Sequence, residues 1–94
     1  MNEIKTATLE LSDRDEPIVL TNINILQAMA ADDPSENHNT KNWYIGYGDY
    51  DYGLKWIVAR AAEHATGESV SSRKFHTDSA KEVVEELGFN IVER

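Results

Sequence analysis

Apolar and polar residues alternate from Lys5 to Leu11. Ala7, Leu9 and Leu11 stand against Thr6, Thr8 and Glu10. A period of two predicts a half-buried strand. Residues 12–17, Ser-Asp-Arg-Asp-Glu-Pro, are polar and end in proline, which predicts a turn. Ile18, Val19 and Leu20 begin a second extended piece. Thr21 or Asn22 then supplies a side-chain oxygen to cap a helix. Ile25, Leu26, Met29 and Ala30 share one face of that helix, and its end is expected near Asp32.

Residues 33–42 are the most loop-like stretch, with too little apolar area to offset their ordering entropy. Trp43-Tyr44-Ile45-Gly46-Tyr47 is aromatic and β-branched and reads as a strand. Residues 48–53 read as a turn carrying aromatic side chains. From 54 to 66, Leu54, Ile57, Val58, Ala61, Ala62 and Ala65 form one stripe at helical spacing, and Gly67 supplies the stop. A last helix is expected over about 78–87. Ala80, Val83, Val84 and Leu87 form its inner face, Thr77 or Ser79 its cap, and Gly88 its end. Ser79 and Glu82 also have the spacing of a capping box. Phe89 to Val92 completes the pattern as a short strand. The order β, α, β, α, α, β predicts a small single α+β domain. About three helices should pack on a short two- or three-stranded antiparallel sheet.

The length of 94 residues supports one domain and one modest core. No apolar run approaches the length of a membrane span. Cysteine is absent, which excludes disulfides and thiolate metal sites and fits a cytoplasmic protein. The net charge of −8 changes the picture more. Residues 1–51 hold ten acids and three bases, a balance of −7, whereas residues 52–94 hold seven acids and six bases, a balance of −1. Such a chain is repelled by a phosphate backbone unless its bases cluster. The charge serves solubility or salt adaptation, or it forms a face for a basic partner.

Catalytic templates find little. His38, His64 and His76 form no metal-ligand pair on a helix face. Ser69, Ser71 and Ser72 lie near His76 in sequence without a nucleophile elbow. Paired carboxylates such as Asp32-Asp33, Asp49-Asp51 and Glu85-Glu86 are expected in a chain this acidic. No cofactor, metal site or enzymatic activity is expected. Two binding features remain. The run 43–52 should present part of its aromatic surface outward, and exposed Trp and Tyr suit interfaces. With the neighbouring acids it gives the candidate protein-binding set: Asp13, Asp15, Asp32, Asp33, Trp43, Tyr47, Asp49, Tyr50 and Asp51. A sparse basic set, Lys55, Arg60, Arg73 and Lys74 with Lys81 nearby, is the candidate nucleic-acid contact.

The segment Tyr52-Gly53-Leu54-Lys55-Trp56-Ile57-Val58-Ala59-Arg60-Ala61 resembles the Gly-x-x-Tyr-Pro-x-Lys stretch and following apolar helix of the ScoMcrA-like N-terminal head domain. Phe75-His76-Thr77-Asp78-Ser79-Ala80 and Val83-Val84-Glu85-Glu86-Leu87-Gly88-Phe89 are similar to that family's ending. The resemblance spans about residues 43–92. It divides the chain into an acidic part, 1–42, and a head-like part, 43–94. Gly53 departs from the family pattern, which often has proline there. The family precedes modules of modification-dependent restriction endonucleases. The resemblance implies a role in a restriction or defence setting and singles out Lys55. The combined expectation is a non-catalytic binding protein, a monomer or small homo-oligomer that does not engage membranes. It would be an acidic inhibitor or accessory module meeting the basic surface of a nucleic-acid-dependent defence complex, of anti-restriction or anti-CRISPR type. The alternative is a nucleic-acid-binding accessory domain.

Overall fold

The computed structural model describes residues 3–31 and 43–93. Strand β1, Thr6–Leu9, pairs antiparallel with β2, Ile18–Thr21, with Thr6 opposite Thr21 and Leu9 opposite Ile18. The alternation sets Ala7, Leu9, Ile18 and Leu20 on the buried face, while Thr6, Thr8 and Val19 face outward. Helix α1, Asn22–Ala31, follows without a break. Thr21 provides the cap. Its Oγ1 accepts from the Asn24 amide at 3.2 Å, and the Asn24 side-chain oxygen accepts from the Thr21 amide at 3.0 Å. This reciprocal arrangement satisfies one donor at each position. Thr21→Ala should therefore lower stability by about 1 kcal/mol, measured by urea unfolding.

The second sheet has the order β4-β3-β5, with β3 at Trp43–Tyr47, β4 at Tyr50–Gly53 and β5 at Asn90–Glu93. Both pairings are antiparallel. Residues 48–53 are thus not one turn. Gly48 and Asp49 form a two-residue hairpin connection, with Tyr47 opposite Tyr50. Such connections need a positive φ at the first central residue, and Gly48 has φ 60°.

Helix α2, Leu54–Thr66, is the centre of the molecule and packs against α1, β2, β3, β4 and helix α3, Thr77–Glu86. Its central place explains a departure from the expected stripe. Ala59 is buried as well as Leu54, Ile57, Val58, Ala61 and Ala62, because neighbours lie on more than one side. Ala65 is exposed, in the turn that runs past the core to Gly67. In α1 the buried set is Ile25, Ala28 and Met29, with Leu26 half-buried and Ala30 exposed. That helix is apolar on most of its circumference, so periodicity alone did not choose its inner face.

A 3-10 turn, Ser72–Lys74, precedes α3, and Ser71 caps it by accepting from the Arg73 amide at 3.2 Å. The N-cap position of α3 is His76, which makes no side-chain capping bond, so neither Thr77 nor Ser79 holds that place. The other end is a Schellman motif. The Phe89 amide donates to the Val84 carbonyl at 3.1 Å, the Gly88 amide to that of Glu85 at 3.0 Å, and Gly88 has φ 91°. One continuous apolar cluster runs from Ala7 to Leu87 and joins both halves of the chain.

Candidate functional site

The β3–β4 hairpin carries the aromatic run. Trp43, Ile45 and Tyr47 share one face of β3, and their cross-strand neighbours Tyr50 and Tyr52 share it on β4. Ile45 is fully buried, and Trp43 and Tyr52 pack partly against the core. The hairpin outruns the layer beneath it. Tyr47 and Tyr50 are therefore 48% and 58% exposed although they point the same way as Ile45. Tyr47 is tilted against Phe89 with ring centroids 5.8 Å apart, and Tyr50 meets Tyr52 edge-on at 6.3 Å. Asp49 sits exposed in the connection between them. Trp43 is the exception in the expected exposed set. It is half-buried, and the Lys81 ammonium lies 3.8 Å from its ring centroid, a cation–π contact that ties α3 to β3.

The acids of the β1–β2 turn lie elsewhere. That turn is docked on the loop before α3 by the Ser12 amide, which donates to the Lys74 carbonyl at 2.8 Å. Asp13 pairs with Lys74 at 3.4 Å and Arg14 with Glu68 at 3.0 Å. An expected protein-binding acid and an expected phosphate-binding base therefore neutralise one another. These pairs are exposed, and each contributes at most about 1 kcal/mol. Asp15 remains exposed on the same turn, and Asp51 is half-buried on β4. Asp32 and Asp33 lie outside the described residues, as does His38. The turn and the hairpin tip sit by opposite ends of the β1–β2 pair, so the acids and aromatics form two patches.

The candidate bases stand on α2 and on the 3-10 turn before α3. Lys55 extends from α2 to place its ammonium 5.4 Å from the centroid of Phe75, which follows Arg73 and Lys74. Arg60 donates to the Val70 carbonyl at 3.0 Å, pairs with Glu63 at 3.1 Å, and lies with its guanidinium 4.7 Å from the Trp56 ring centroid. Those contacts fasten the loop before α3 to α2. Arg73 is exposed. Lys55 thus has a packing contact, and Gly53 before it has φ −58°, a value that proline also adopts.

Two features escaped the sequence reading. Asp78, Glu82, Glu85 and Glu86 are all exposed on α3, where Lys81 is drawn over Trp43 instead of pairing with them. Their spacing of three and four residues was legible; the near-neutral total of residues 52–94 hid it. The second is an open cleft of about 400 Å³ beside the hairpin tip, lined by Tyr47, Leu26, Leu87 and Phe89 together with Glu3 and Lys5, whose side chain reaches Gly88. It joins residues up to 86 positions apart, which no local pattern could have signalled. Among the described residues no group of three or more His, Asp or Glu side chains is placed to hold a metal ion. No helix among them is long and apolar enough to cross a membrane. Comparison of the chain with models of protein families, with curated proteins and with solved structures found no match.

Proposed function

We propose that this chain is a non-catalytic protein-binding domain that engages a partner with a basic surface through the tip of the β3–β4 hairpin. The observation that carries the reading is the exposed Tyr47–Tyr50 pair with Asp49 between its members. Rigid aromatic side chains lose little entropy on binding and supply most of the energy at many interfaces. The net charge of −8 adds long-range attraction toward a basic partner. A nucleic-acid groove on a defence complex is the partner type that fits this charge and the head-domain resemblance; the protein would act there as inhibitor or accessory module.

The test is affinity capture at ~150 mM salt with the wild-type chain and a Tyr47→Ala/Tyr50→Ala double variant, each shown to be folded by circular dichroism. The captured basic protein is then purified and titrated by calorimetry. Loss of two interfacial tyrosines should weaken binding at least ~10-fold. Unchanged affinity would sink the hairpin as the binding element.

The second reading, contact with nucleic acid, is favoured by Arg73, exposed on the 3-10 turn with Lys74 beside it. Against it, Arg60 and Lys74 are paired with Glu63 and Asp13. Fluorescence anisotropy with plain and modified duplexes at ~50 mM salt separates the two. The protein-binding reading expects no saturable binding. The nucleic-acid reading expects binding that weakens steeply as salt is raised.

A further inference from the structure

Five large apolar residues are exposed among the described residues: Ile4, Val19, Ile23, Tyr47 and Tyr50. Of these, Tyr47 lines the cleft beside the hairpin tip, Ile4 and Ile23 are next in sequence to residues that line it, and Tyr50 is the cross-strand partner of Tyr47. The cleft is also firmly built. Asn22 locks the segment before β1 against the start of α1. Its side chain accepts from the Lys5 amide at 3.0 Å and donates to the Glu3 carbonyl at 3.0 Å, while its own amide donates to the Lys5 carbonyl at 3.2 Å. The Schellman turn fixes the opposite wall at Leu87, Gly88 and Phe89. Tyr47 against Phe89 closes the third side.

Acids outnumber bases on the elements around this cleft. Glu3 lines it, Asp49 lies on the hairpin tip, and Glu85 and Glu86 occupy the last turn of α3 that leads into its wall. None of the four is ion-paired to a described residue. Among the described residues Lys5 is the base that lines the cleft, and its side chain lies against Gly88. Glu85 and Glu86 are also badly placed for the helix itself. A helix C-terminus carries partial negative charge, and α3 has no base in its last turn. Acids kept where they cost helix stability point to a use outside the helix.

We infer that this cleft is the anchor pocket of the interface and receives one large apolar side chain from a basic segment of the partner protein. The inference rests on the protein-binding reading and names the partner's chemistry. The cleft is open to solvent, and its volume of about 400 Å³ leaves room for one aromatic side chain to lie in it. Flanking lysines or arginines would meet Glu3, Asp49, Glu85 and Glu86. A second copy of the chain, itself at −8, lacks that complementarity.

Three peptides test it at ~150 mM salt: three lysines on each side of one tryptophan, the same with alanine at the centre, and tryptophan flanked by glutamates. Binding is followed by fluorescence polarisation and by amide shifts in 15N-labelled protein. The lysine–tryptophan peptide should bind about 10-fold more tightly than its alanine counterpart, and the glutamate peptide not at all. The shifts should centre on Leu26, Tyr47, Gly88 and Phe89. Leu26→Lys should erase the tryptophan advantage, and Tyr47→Ala, at an exposed position, serves if that variant misfolds. Glu85→Gln/Glu86→Gln should raise Tm by about 2–8 °C while weakening the basic peptide severalfold. A purely structural role would not give that opposition. Equal affinity for the tryptophan and alanine peptides, or shifts confined to Asp78 and Glu82, overturns the pocket. So does failure of both basic peptides while hairpin-dependent capture persists, which leaves the protein-binding reading standing.

Discussion

Ile45→Ala lowers the stability of the domain by about 2–5 kcal/mol, the range for deleting a large buried aliphatic side chain. Ile45 has no exposed surface and sits on the central strand of the three-stranded sheet, opposite Tyr52 on one side and Ile91 on the other. Its loss removes transfer energy and leaves a cavity where both cross-strand contacts meet. A domain of this size has about 5–14 kcal/mol in total, so the variant forfeits a substantial share. The expected drop in Tm is about 10–30 °C, read by circular dichroism. Retention of wild-type stability would show that the second sheet contributes little to the cooperative core.

Gly88→Val is the second large effect, expected at about 1–3 kcal/mol. The cost is mainly backbone. Gly88 has φ 91°, where a β-branched residue is strained. A Cβ would stand 2.9 Å from the Lys5 ammonium, but that group ends a flexible side chain and can move aside. Gly67→Ala provides the comparison. Gly67 has φ 74° with nothing within 4 Å of an added Cβ, so it should show the smaller penalty of strain alone, about 1 kcal/mol. Equal, negligible effects in urea unfolding would mean that the ends of α2 and α3 relax without cost.

Elements with a strong local signal were legible in the sequence. The alternation around Ala7 and Leu9 became β1, and the stripe from Leu54 to Ala62 became the inner faces of α2. Gly67 and Gly88 stop their helices as left-handed residues should. Strand β4 was missed because Gly48, Asp49, Asp51 and Gly53 resemble turn chemistry, and tertiary pairing with β3 overrode that preference. The capping of α3 was misplaced because Thr77 and Ser79 both carry capping side chains and only the backbone path selects His76. For the site, residue type identified Tyr47 and Tyr50, but not that the hairpin would outrun the core and expose them. Nor could it foresee that Asp13 and Lys74, candidates for opposite partners, would meet. Both facts depend on how distant segments pack.

The pairing of β3 with β5 bears on how the protein is made. Gly46 lies opposite Asn90, and Trp43 opposite Glu93. A ribosome adding about 5–20 residues per second needs roughly 2–9 s to pass from one partner to the other. During that interval β3 and β4 can close as a local hairpin, yet Ile45 lacks its Ile91 neighbour and one edge of β3 stays unpaired. An open edge beside an aromatic run is a template for wrong pairing. The β3 edge is thus closed only when the last strand of the chain arrives.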